Sequence, residues 1–174
     1  SHNCDVFIHV NSPTAPEVPA YGRINGFLSI CKEKKLPHRI IYKEFGNTYD
    51  SIRTNMIDVL NELERNYPNQ KKGVFISSDT HANVFLNLLI QRYGSLPSDY
   101  YLVGFDDSPI STEAVIPIST VGQHIDQIAH EAVKLLVEQM NERKKRKPIP
   151  LEKPIHKVNY TLFNPQGNHR KEQR

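Results

Sequence analysis

Two periods organise the hydrophobic and polar positions along this chain. Val6-Phe7-Ile8-His9-Val10, Arg39-Ile40-Ile41-Tyr42, Gly73-Val74-Phe75-Ile76-Ser77 and the run Leu102 to Phe105 have strand length and are mostly apolar. Runs of that kind suit a sheet covered on both faces, since neither side of the strand must meet water. Between them the spacing turns helical. Ile24, Phe27, Leu28 and Cys31 fall at i, i+3, i+4, i+7 and predict a helix with one apolar stripe. Ile52, Met56, Val59, Leu60 and Leu63 predict a second, from Asp50 or Ser51 to about Arg65, with a Ser or Asp able to cap it. A third spans roughly His81 to Tyr93 and stops at Gly94, placed as a C-cap glycine should be.

Breaks and the longest stripe complete the pattern. Pro13, Pro16 and Pro19 keep residues 11–21 from regular structure, and Pro109 and Pro117 leave 108–120 a loop with at most a helical turn. From Gln123 to about Asn141, Ile125, Ile128, Ala129, Ala132, Leu135, Leu136 and Met140 make the clearest amphipathic helix. Residues 156–163 read as a last strand, and the polar residues 164–174 as a disordered tail. Strands alternating with helices predict an α/β fold with a mainly parallel sheet and helices on both faces.

Composition narrows the class. With 174 residues there is room for one domain with a substantial core or two small lobes. Mean hydropathy is −0.53, and no apolar run approaches the roughly 20 residues a membrane helix needs. Cys4 and Cys31 are too few for a disulfide scaffold, which fits a cytoplasmic location, and no signal-peptide pattern precedes Val6. Net charge is +3, with much of the excess in Arg143-Lys144-Lys145-Arg146-Lys147, where it complements a helix C-terminus. A groove reader of DNA would need a basic face extending further.

No glycine-rich phosphate loop, HExxH, CxxC or Gly-x-Ser-x-Gly elbow is present, so the sequence points to no catalytic residue, no metal and no cofactor. The acids Asp106 and Asp107 end an apolar strand, at the edge where open α/β sheets bind ligands. A carboxylate there can accept two hydrogen bonds from neighbouring hydroxyls of a ligand, so Asp106 is expected to be a ligand contact. Asp107, ahead of Ser108-Pro109, is expected to cap the following turn.

The stretch Leu102 to Ile110, with Pro97 and Asp99 before it and Ile118-Ser119-Thr120-Val121-Gly122-Gln123 after it, resembles the sugar-responsive transcription repressors of the lac repressor type. Arg23-Ile24-Asn25-Gly26-Phe27 is similar to that family's Arg-x-x-Gly-aromatic helix opening, and Ser78-Asp79-Thr80-His81-Ala82 stands where it usually has Asn-Asp-x-x-Ala. The resemblance implies a periplasmic-binding-protein-like (type I) lobe truncated at its N-terminus. By it, residues 1–122 form the C-terminal lobe of an effector domain, 123–147 a helix crossing to the other lobe, and 148–163 the return. It also implies a sugar or sugar-like effector held by Arg23, Tyr49, Ser78, Asp79, Asp106 and Gln123. Operator DNA would be met only through a head domain outside these residues, and the protein would form a homodimer with no membrane partner. Two other functions share the pattern: a solute-binding protein of a sugar transporter, or a small α/β enzyme using Asp106 as base.

Overall fold

The computed structural model describes residues 3–13, 21–144 and 161–163. Five strands run parallel: β1 (Val6–Asn11), β2 (His38–Tyr42), β3 (Lys72–Ile76), β4 (Tyr100–Asp106) and β5 (Ser119–Gly122). The short β6 (Thr161–Phe163) pairs antiparallel with β5, giving the sheet order β2-β1-β3-β4-β5-β6. Helices α1 (Tyr21–Glu33), α2 (Tyr49–Asn66), α3 (Asp79–Tyr93) and α4 (Pro109–Glu113) fill the connections, and α5 (Ile125–Arg143) follows the sheet.

Side-chain alternation along the strands splits the core into two layers. Val6, Ile8 and Val10 of β1, with Ile41, Val74 and Ile76, pack against Met56, Val59, Leu60 and Leu63 of α2 and Phe85, Leu86 and Leu89 of α3. The opposite face carries Phe7, His9 and Phe75, and α1 covers it: the ring of Phe27 lies 5.4 Å from His9, which stacks on Phe75 at 4.5 Å. Covering on both faces is the reason these strands read as nearly unbroken apolar runs.

Helix boundaries moved by one or two residues, each for a visible reason. Thr48, not Asp50 or Ser51, caps α2, accepting from the Ser51 amide at 3.2 Å. Gly46 makes the turn possible, since it sits at φ +64 and a Cβ there would stand 2.7 Å from Ser51 Oγ. Helix α3 begins at Asp79 because Ser78 Oγ accepts from His81 N, and it ends at Gly94 in the left-handed conformation, as expected. The cap assigned to Asp107 is absent. Helix α4 has no side-chain cap, and the carboxylate that holds its entry is Asp79, which accepts from Ser108 N at 2.8 Å.

Helix α5 leaves Ile125, Ile128, Val133, Leu136, Val137 and Met140 exposed, so its apolar stripe has no cover within the described chain. Residues 145–160 and the tail from 164 lie outside the described residues, and with them most of the predicted return segment. Among the described residues, no helix is long and apolar enough to cross a membrane.

His9 makes stability depend on pH. Its Nδ1 donates to the Phe75 carbonyl at 3.1 Å, and its Nε2 is buried without a partner. Burial pushes its pKa down to about 4 against an ordinary 6.5, with the Arg23 charge adding to the fall and the Phe75 bond opposing it. Below pH 6.5 the unfolded chain binds a proton that the folded chain refuses, so stability is full above 6.5 and falls until about pH 4. At about 1.4 kcal/mol per unit, this one group accounts for about 3 kcal/mol. Urea unfolding of His9→Phe should show a visibly flatter decline between pH 7 and pH 4 than the unaltered protein; parallel declines would show that other groups govern it.

Candidate functional site

The carboxyl ends of β1, β3, β4 and β5 line up along one edge of the sheet. The order reverses between β1 and β3, with α1 on one face and α2 and α3 on the other, the position at which open α/β sheets bind ligands. Arg23, in the first turn of α1, reaches this edge. Its Nη1 donates to the Ser77 carbonyl at 3.0 Å, and its guanidinium lies 4.1 Å from the centre of the Phe105 ring. One of five N–H donors is thereby committed, and the aromatic face fixes the plane of the fork.

Asp106 and Gln123 meet beside it. Asp106 pairs in register with Gly122, which brings the next residue, Gln123, alongside, and Gln123 Nε2 donates to Asp106 Oδ1 at 2.5 Å. Burial pushes the Asp106 carboxyl above its ordinary range and the Asp79 charge adds to this, while the Gln123 bond and the Arg23 charge pull it back. The backbone here is unusual. Asp106 has φ +109 and Asp107 φ +54, values that L residues adopt at a cost on the order of 1–3 kcal/mol each. Strain of this kind persists only where surrounding structure holds it.

Asp79 lies directly behind this turn. Expected among the ligand contacts, it is 1% exposed, and both its oxygens are occupied. Oδ1 accepts from Thr120 Oγ1 at 2.6 Å, and Oδ2 from Ser108 N at 2.8 Å and Ser108 Oγ at 3.1 Å. The structure therefore sets Asp79 behind the edge and Asp106 on it. Ser78 is half-buried with its oxygen already capping α3, which leaves its hydroxyl proton to donate. Tyr49 opens α2 and is 58% exposed; among the described residues no contact joins it to Arg23, Asp106 or Gln123. The edge thus brings together Arg23, Asp106 and Gln123, with Ser78 at the neighbouring strand end and Tyr49 apart.

Two residues on this edge escaped the sequence reading. Asn11 ends β1 there and is buried, its Oδ1 accepting from Ser12 N at 3.0 Å while its Nδ2 has no partner. Because that bond fixes which end of the amide accepts, the unmet group is a donor, and a buried donor without a partner is costly. A polar residue closing an apolar strand at Asn11 was the available signal. Thr120 is the second, a buried hydroxyl whose partners lie 13 and 41 residues away and could not be read locally.

An anionic acceptor, an arginine fork on an aromatic ring and amide groups thus share one edge of a doubly wound α/β sheet, a set of groups suited to a small polyhydroxylated ligand. Residues 2–157 match the periplasmic binding protein-like domain. The chain belongs to that family, as an effector domain of the lac repressor type. It is 30% identical over 118 residues to the ribose operon repressor of Bacillus subtilis, covering 68% of this chain and 34% of that protein. A ribose operon repressor from Halalkalibacterium halodurans is 25% identical over 140 residues, 80% of this chain and 40% of the relative. The chain thus spans well under half the length of these relatives. Among solved structures, an uncharacterized protein from Actinobacillus succinogenes superposes with a TM-score of 0.73 at 25% identity, over 93% of this chain and 55% of the other.

Proposed function

We propose that this chain is the sugar-sensing part of a transcription repressor, with Asp106 as the principal ligand acid. The observation that carries the reading is the carboxylate of Asp106 on strained backbone, flanked by Arg23 and Gln123 at the switch-point edge. Arg23 and Gln123 donate to sugar oxygens, Asp106 accepts from two hydroxyls, Ser78 adds a donor, and Tyr49 supplies an apolar plate if a closing movement brings it in. The relatives' name makes ribose the first sugar to test.

The exposed stripe of α5 supports a reading in which a second lobe packs on that helix, with residues 1–122 as one lobe, 123–147 crossing to the other and 148–163 returning. Ligand between two lobes would favour closure by its differential affinity for the closed state, and closure would reach DNA through a head domain in a cytoplasmic homodimer. Binding without catalysis fits the site, since among the described residues no nucleophile or orienting base is paired with Asp106.

Calorimetry of the intact protein with D-ribose, alongside a gel shift on its operator with and without the sugar, tests the whole reading. Binding together with a change in operator occupancy is the expected result. Sugar binding with no DNA binding at all would favour the transporter solute-binding protein instead, and turnover of the sugar would favour the enzyme.

A further inference from the structure

We infer that Asp79 is the positioning residue of this site, acting through Ser108 and Thr120 to set the backbone that presents Asp106. This deepens the proposed function and rests on its reading of Asp106 as the ligand acid.

Two residues of positive φ form the turn after β4. Asp107 at φ +54 lies in the left-handed region that Asp can enter, but Asp106 at φ +109 lies outside it, so contacts from beyond the turn are needed to hold the pair. Three groups converge on it. Thr120 Oγ1 accepts from Asp107 N at 3.2 Å and donates to Asp79 Oδ1 at 2.6 Å. Ser108 gives both its amide and its hydroxyl to Asp79 Oδ2. One buried carboxylate therefore ties down the residue after the strained pair directly, and the second member of the pair through Thr120. It also joins the N-terminus of α3 to β5, the strand that delivers Gln123 to the Asp106 carboxylate.

The space is reserved for it. A Cβ on Gly104 would overlap Asp79 Oδ1 and lie 3.2 Å from its Cγ, so β4 runs a glycine past the carboxylate. Asp79 also faces Asp106 electrostatically, its charge helping to raise the Asp106 carboxyl. A sugar cannot use these oxygens, because each already accepts from protein donors and the residue is closed to solvent.

The test separates positioning from general support. Thr120→Val keeps the shape and removes the hydroxyl, and Thr120→Ser keeps the hydroxyl. Val59→Ala, in the α2 layer away from the edge, serves as a control of lowered stability. In the intact protein titrated with D-ribose, Thr120→Val should bind at least tenfold more weakly, whereas Thr120→Ser and Val59→Ala stay within about twofold of the unaltered protein. Equal affinities in Thr120→Val and Val59→Ala would overturn the proposal. If the unaltered protein binds no sugar, the proposed function fails, and the positioning claim is decided by 15N-glutamine NMR of the ligand-free protein. The side-chain amide signal of Gln123 should shift in Thr120→Val and return in Thr120→Ser; no shift would sink the claim.

Discussion

Replacing Asp106 with alanine is expected to weaken sugar binding roughly ten- to over a hundredfold, because a charged hydrogen-bond partner of a ligand contributes on the order of 1.5–3 kcal/mol. The carboxylate's one described protein bond is to Gln123, so the fold depends little on it. Affinity for operator DNA should stay nearly unchanged while the response of DNA binding to the sugar disappears. Asp106→Gly sharpens the result. Glycine at φ +109 relieves strain, so this variant should lose the sugar as fully as alanine while melting higher than the alanine variant. Sugar titrations and thermal melts on both variants check this. Retained sugar response in Asp106→Ala would remove the acid from the site, and alanine melting at or above glycine would show that the backbone is not strained as the dihedral suggests.

Gly104→Ala should be the most damaging single change on the sheet. The added Cβ overlaps Asp79 Oδ1 and approaches the Asp79 Cα to 3.3 Å, so the clash involves backbone as well as a side chain whose bonds prevent it from turning aside. Displacing that carboxylate leaves Thr120 with a buried unpaired donor and Ser108 with two half-buried ones. A loss on the order of 3–5 kcal/mol is expected, from overpacking plus broken buried bonds. Denaturant unfolding would measure it, with Gly26→Ala as reference, because nothing lies within 4 Å of a Cβ at that exposed helical glycine. A Gly104→Ala variant no less stable than Gly26→Ala would mean that β4 and α3 part easily, and the clamp around Asp79 would then be loose.

Much of this architecture was legible in the residues themselves. Apolar runs at positions 6–10, 73–77 and 102–105 became β1, β3 and β4, and the stripes beginning at Ile24 and Ile52 became the buried faces of α1 and α2. Gly94 ends α3 where a left-handed residue is needed, and Asp106 closes β4 at the carboxyl edge of the sheet. These features rest on periodicities of two and 3.6 residues and on backbone preferences, which neighbouring residues express without help from the rest of the chain. The family motifs placed Arg23 and Gln123 on the same edge.

What escaped depended on partners far away in sequence. Asp79 and Asp106 are both acids that follow an apolar run, and nothing local distinguishes the one left open on the edge from the one buried under the turn. The distinction comes from Thr120, 41 residues on from Asp79, and from the missing Cβ of Gly104, which leaves room for a buried carboxylate only once β4 lies beside α3. Asp107 failed as a cap for the same reason, since the entry to α4 is held from a distance by Asp79, which accepts from the Ser108 amide. The strand order, the antiparallel return of β6 on β5 and the unmet amide of Asn11 are likewise products of assembly. The sequence by itself determined the strands, the helices and the types of side chain offered to a ligand, because those follow from local backbone and solvation preferences. Only the tertiary structure decided which of those side chains remains available and which is consumed in holding the other, because hydrogen-bond partners are chosen by where packing brings them.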